Sequence, residues 1–166
     1  ASDRGQVLSR TIRGVLRYGE GLRLLSRMEG VDEEELEWLV ALKFEYLVTC
    51  QQYGKQRMST NPVDIQKADS IDELRRQYAE NLRIAFVDDP KAEAESNHFS
   101  SVLLAVDDSE DGADLCLCKV KLPGNPIIGE GKPENQNHAT IFAHGEYLQT
   151  LDMNQDNYLG EALKLR

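Results

Sequence analysis

The stretch Phe44–Asp89, FEYLVTCQQYGKQRMSTNPVDIQKADSIDELRRQYAENLRIAFVDD, decides the fold. Its first residues are aromatic and β-branched, and the polar pair Gln51-Gln52 falls where a buried strand would end. Gly54–Asp64 has the Gly, Ser, Thr, Asn and Pro content of a loop. Ser70 and Glu73 stand at capping-box spacing, with Ile71, Leu74 and Tyr78 on one face of a short helix. LRIAFVDD then reads as a second strand. Strand, helix, strand is a β-α-β unit, which implies parallel pairing and puts both strand ends, with Asp88 and Asp89, on one rim. Ligands of open α/β sheets bind at such a rim, so these acids either contact one or cap a solvated turn before Pro90. Gly54-Lys55 lacks the spacing of a phosphate loop and reads as a surface lysine.

Upstream, Leu8, Ile12, Val15, Leu22 and Leu25 recur at helical spacing within residues 4–30. Gly14, Gly19 and Gly21 each cost up to about 1 kcal/mol in a helix interior and leave open a division into two helices. Arg4, Arg10, Arg13, Arg17, Arg23 and Arg27 crowd the other faces, as a solvated helix or as an array facing phosphate or anionic lipid. Downstream, SSVLLAV and LCLCKVKL are two short strands around an acidic surface turn, the pattern of an inserted hairpin.

Gly124–Asn157, GNPIIGEGKPENQNHATIFAHGEYLQTLDMNQDN, concentrates glycine, lysine, amides and carboxylates, as a site for an anionic, hydroxyl-rich substrate would. ATIFAHG alternates like a strand, but a helix fits its flanks better, because a crossover is needed before a buried strand through Leu148 and Leu151. Lys132, Asn135, Gln136 and Asn137 then lie near a helix start, where free backbone N–H groups attract anions. Asp152 ends the strand and, with Asn154, makes a hard-oxygen site for Mg²⁺ or Mn²⁺ on a diphosphate. Asp152, Asn154, Asp156 and Tyr158 also imitate the first positions of a calcium loop, but Asn157 and Leu163 stand where its glycine and glutamate belong.

The composition fits one core and excludes several classes. The 166 residues carry 29 acidic against 19 basic side chains, a formal net charge of −10, which argues against nucleic acid as the partner. No apolar run approaches membrane-spanning length and no signal peptide opens the sequence. Cys50, Cys116 and Cys118 make neither a disulfide lattice nor a zinc motif; Cys116 and Cys118 read as small buried side chains on one strand face. His98, His138 and His144 lack ligand-like company and read as structural or surface histidines.

RGQVLSRTIRG, LVTCQQYG, LRIAFVDD and the long block from Lys121 to Arg166 together resemble successive blocks of the catalytic region of the 1,3-β-glucan synthase (callose synthase) family. The resemblance covers almost the whole chain. It implies an α/β fold, part of a GT-A-like glycosyltransferase domain with a mostly parallel sheet and an inserted hairpin. Residues 1–166 would be its donor-binding portion, with 1–37 an N-terminal helical segment and 38–166 the α/β core. The implied parent is a multi-pass membrane protein at the cytosolic face of the plasma membrane, an inverting enzyme moving glucose from UDP-glucose onto a growing β-1,3-glucan. A small-GTPase regulatory subunit is a candidate partner. Carried over by position, Lys132 would touch the donor diphosphate, Asn135 and Asn137 would hold ribose, phosphate or sugar hydroxyls, and Asp88 would face the uridine. Asp152 would be the metal-facing acid and Asn154 its partner.

Two positions depart from the family pattern: His144 replaces an arginine before Gly145-Glu146, and Gly160 replaces the first of two acids. The general base and acceptor site belong to a later part of the family's catalytic domain, so the isolated chain is expected to be inert. A soluble nucleotide-binding module and a regulatory domain are the competing readings; metal-dependent UDP binding separates the donor-binding enzyme and the nucleotide-binding module from the regulatory domain.

Overall fold

A computed structural model describes residues 2–79, 82–88, 98–107, 113–152 and 158–164. It divides into two compact units, Leu47–His144 and a second formed by Ser2–Tyr46 with Gly145–Arg166.

In the second unit, helix α1 (Ser2–Met28) is continuous through its glycines. Two of them serve close packing: a Cβ on Gly19 would come within 3.2 Å of Val40 Cγ1, and one on Gly21 within 3.2 Å of Ala162 Cβ. Val40 belongs to α2 (Glu33–Lys43), and Ala162 to a short final helix, Leu159–Ala162. Two of the arginines are matched by carboxylates on α2. Arg23 donates to both oxygens of Glu37 at 2.8 and 2.6 Å, and Arg27 to both of Glu33 at 2.7 and 2.9 Å.

In the first unit the strands β1 (Tyr46–Thr49, its first residue counted with the other unit), β2 (Leu82–Asp88), β3 (Ser100–Asp107) and β4 (Ala113–Lys121) form one sheet in the order β1-β2-β3-β4. Cys50 N–H donates to Ala85 O at 2.8 Å and Val87 N–H to Gln51 O at 3.2 Å, so the bonds advance together along both strands. β1 and β2 are therefore parallel, joined through α3 (Tyr53–Arg57) and α4 (Pro62–Gln77).

The rest of the sheet corrects the expected, mostly parallel arrangement. β2 pairs antiparallel with β3, Ile84 opposite Leu104, and β3 antiparallel with β4. Residues 89–99 and 108–112 are the only links, shorter than the dozen or more residues a parallel crossover needs. The expected strand through Leu148 and Leu151 is also absent: residues 146–152 have no regular structure, and Tyr147 is 93% and Leu148 57% exposed.

Two local expectations change as well. α4 starts at Pro62, not Ser70, because Asn61 accepts from Val63 N–H at 2.9 Å and proline suits a first turn. Ser70 instead donates to Gln66 O within the helix at 2.8 Å. Cys116 and Cys118 are exposed and do not share a face. The register slips between Leu103 and Leu104, so Cys118 lies opposite Leu103 and Cys116 opposite Leu104, and neighbouring β3 residues face opposite ways.

β3 is buried from Ser101 to Val106 because both sheet faces are covered. On one, Ala85, Leu103 and Phe142 cluster with Leu47 and Val120. On the other, the Tyr53 ring meets Phe86 edge-on at 5.4 Å. A Cβ on Gly54 would lie 2.7 Å from both the Phe86 ring and Val87 O, so only glycine lets α3 rest there.

Arg75, 1% exposed, ties this layer together. It donates to Ala105 O at 3.1 Å, to Asp72 at 3.3 Å and to Asp114 on β4; Tyr53 donates to Asp72 in turn. Arg57 reaches Asp114 at 2.6 Å and lies over the Tyr53 ring. Burial alone would raise the Asp114 carboxyl, but its bonds to Arg75 and Arg57 outweigh that and hold it below the ordinary carboxylate range. Removing one member of a buried charge cluster strands the others. Arg75→Leu is therefore expected to destabilise the chain by about 3–5 kcal/mol in urea unfolding, and Arg57→Leu, at a more exposed site, by under about 1 kcal/mol.

Candidate functional site

The amide-rich stretch folds as a loop followed by helix α5 (Lys132–Ala139) and a 3-10 turn, Thr140–Phe142. The helical expectation holds for the amide-rich start, with the helix beginning at Lys132, but ATIFAHG itself is corrected: the α-helix ends at Ala139, only the 3-10 turn Thr140–Phe142 follows, and the segment crosses to no strand. Gly129 (φ 96°) and Gly131 (φ 72°) take backbone angles that side chains resist. The loop wraps one carboxylate oxygen: Glu134 Oε2 accepts from Ile128, Gly129 and Glu130 N–H at 2.8, 3.0 and 3.1 Å. These donors, the kind that cradle phosphate elsewhere, are engaged by the protein's own anion.

Asn135 acts as a neighbouring strand would. Its Nδ2 donates to Thr49 O at 3.0 Å and its Oδ1 accepts from Gln51 N–H at 3.2 Å, while Thr49 Oγ1 donates to Asn135 O at 2.9 Å. The edge of β1 is thereby closed at its C-terminal end. One amide hydrogen of Asn135 remains beyond these bonds. Lys132 and Asn137 are exposed on the same helix.

His138, 4% exposed, shares a hydrogen bond through Nε2 with Ser101 of β3 and meets the Phe142 ring edge-on. It is structural, as its lack of ligand company suggested. Its Nδ1 has no partner, and burial lowers its pKa below that of a free histidine. Burial likewise pushes the Cys50 thiol up to about 12, which disfavours its thiolate.

At the C-terminal ends of the parallel pair lies a cleft of ≈ 130 Å³ lined by Gln51, Gln52, Lys55, Val87, Phe99, Asn125 and Ile127. Gln51 is 6% exposed, its backbone is held on both sides by Asn135 and Val87, and its side-chain Nε2 is a buried donor with no acceptor. Lys55, which the sequence presents as a surface lysine, supplies positive charge here. Phe99, Asn125 and Ile127 were not legible as site residues; the polar pair ending β1 was the available signal. A wider, open recess of ≈ 470 Å³ on α2 is lined by Asp32, Glu34, Glu35 and Trp38 and suits no anion.

The other expected site residues are placed separately. Asp88 ends β2 on the rim and pairs with Lys119 at 2.7 Å. Asp152 is half-buried in the second unit, outside any strand. Asp89 and Asn154 lie outside the described residues. Among the described residues, no three His, Cys, Asp or Glu side chains gather as a metal site, and no helix is long and apolar enough to cross a membrane.

The profile of the 1,3-beta-glucan synthase component family matches residues 1–166. The chain belongs to the 1,3-beta-glucan synthase family. It is 44% identical over its full length to callose synthase 9 of Arabidopsis thaliana, 40% to putative callose synthase 8 and 39% to callose synthase 3 of the same plant. In this family segment the chain spans only about a tenth of those relatives, 9% of callose synthase 9 and 10% of callose synthase 3.

His138 gives the first unit a pH dependence whose sign is fixed. With its folded pKa depressed, the unfolded chain binds the proton first, so stability is full above the free value of about 6.5 and falls as pH drops from there toward the folded pKa. Urea midpoints should decline below about pH 6.5, and His138→Gln should remove that part of the slope.

Proposed function

We propose that this chain is the donor-binding part of a 1,3-β-glucan synthase, which transfers glucose with inversion from UDP-glucose to a growing β-1,3-glucan. The observation that carries the reading is the rim cleft, because ligands of open α/β sheets bind beyond the carboxyl ends of parallel strands. Its volume suits one heterocycle, with the rest of the donor outside. Phe99 and Ile127 offer apolar walls for a base, Lys55 a cation for phosphate, and Gln51 a donor in need of an acceptor. Asp88, on the same rim, is proposed to face the uridine.

Lys132 and Asn137 are proposed to meet the diphosphate and sugar hydroxyls from α5, and Asn135 to offer its remaining amide hydrogen while holding Gln51 in place. The proposed metal is Mg²⁺ or Mn²⁺ on Asp152 and Asn154. The fit is one of donor chemistry, since such cations take one or two carboxylates together with substrate phosphates. Bound there, the ion would offset charge on the departing diphosphate. The same reading makes the first unit part of a GT-A-like domain, in a parent at the cytosolic face of the plasma membrane. Its remaining partners would be the rest of the membrane-embedded synthase and a small-GTPase regulatory subunit.

Two substitutions in the full-length parent test the reading. Gln51→Met removes a buried donor that has no acceptor, so the melting temperature should hold. The KM for UDP-glucose should rise about tenfold with kcat unchanged, a loss of roughly 1.4 kcal/mol of donor binding. An unchanged KM would leave the chain a regulatory module. Asp152→Asn keeps the shape and removes the charge, and UDP release from membranes should fall roughly 10²-fold or more. Asp107→Asn is the control and should change it little.

A further inference from the structure

The two edges of the sheet are treated differently. The outer edge of β1 is capped at its C-terminal end by the Asn135 carboxamide, bonded to Thr49 O and Gln51 N–H. The outer edge of β4 carries no further strand among the described residues. β4 is nine residues long and exposed from Asp114 to Lys119, with Leu115 at 40% and Leu117 at 47%. Edge strands that meet water are normally short or guarded by charge along their length. Here Leu115-Cys116-Leu117-Cys118 runs uncharged through the middle. Asp114, the acid before it, is turned into the Arg75 and Arg57 pairs.

We infer that the outer edge of β4 is the docking site for one more β-strand, supplied by the same polypeptide from outside residues 1–166. The relatives that match this chain are about ten times longer, so most of such a polypeptide is available to cover it. A segment of the same polypeptide binds in an intramolecular event, whereas a second copy must be recruited from solution. The edge fits an extended segment that adds main-chain hydrogen bonds and lays apolar side chains over Leu115 and Leu117. The register slip beside Leu117 bends β4 locally, while Leu115 and Leu117 stay exposed. This inference does not depend on donor binding.

Hydrogen–deuterium exchange on the purified full-length parent is the test. β4 amides alternate between those bonded to β3 and those facing away. In the monomeric fraction both sets should exchange at least tenfold more slowly than in the urea-unfolded parent. N-ethylmaleimide should modify Cys116 and Cys118 at least tenfold more slowly than after unfolding, read by peptide mass spectrometry. Outward amides exchanging at the unfolded rate would overturn the inference. So would protection confined to a dimeric fraction, which would make the occupant a second copy.

Discussion

A guanidinium group held in the interior constrains the first unit more than any apolar contact. Arg75 cannot lose its charge and is 1% exposed, so the elements around it must supply oxygens. Ala105 of β3, Asp72 of α4 and Asp114 of β4 do so, and Tyr53 of α3 joins through Asp72. This fixes how the β-α-β crossover lies on the hairpin that follows it. An apolar side chain at Arg75 could fill the same space, but it would not specify which strand residue stands beside which helix turn.

Once the crossover is fixed, the ends of β1 and β2 form a rim whose side chains are preset. Gln51 is positioned from both sides, by Val87 on β2 and by Asn135 from α5. Asn135 therefore does two things at once: it caps the C-terminal end of the β1 edge and sets the residue at the cleft. A carboxamide is suited to this because it carries a donor and an acceptor side by side, as a strand backbone does.

The glycine-rich loop shows the same economy with charge. Three backbone N–H groups that could bind an external anion converge on Glu134, one turn into the helix they precede. The loop's shape is thus internally satisfied, and the positive charge available at the rim cleft comes from Lys55 on the crossover instead. On α1, Arg23 and Arg27 are spoken for by Glu37 and Glu33 in the same way.

The sequence by itself determined the elements whose signals are local. It contained the strand before Gln51, the strand ending at Asp88, the hairpin after it, the helical reading of the Asn-rich segment and, through long motif blocks, the family. Tertiary structure decided everything that depends on partners. Gly19, Gly21 and Gly54 look like breaks along the chain and are contact points between elements. Cys116 and Cys118 fall on one face by counting and on opposite faces once the bulge shifts the register. Leu148 and Leu151 read as strand residues but lie in a segment without regular structure. Lys55 reads as decoration until α3 brings it beside Gln51, which had to await the fold because hydrogen-bond partners far apart in sequence leave no periodicity to read.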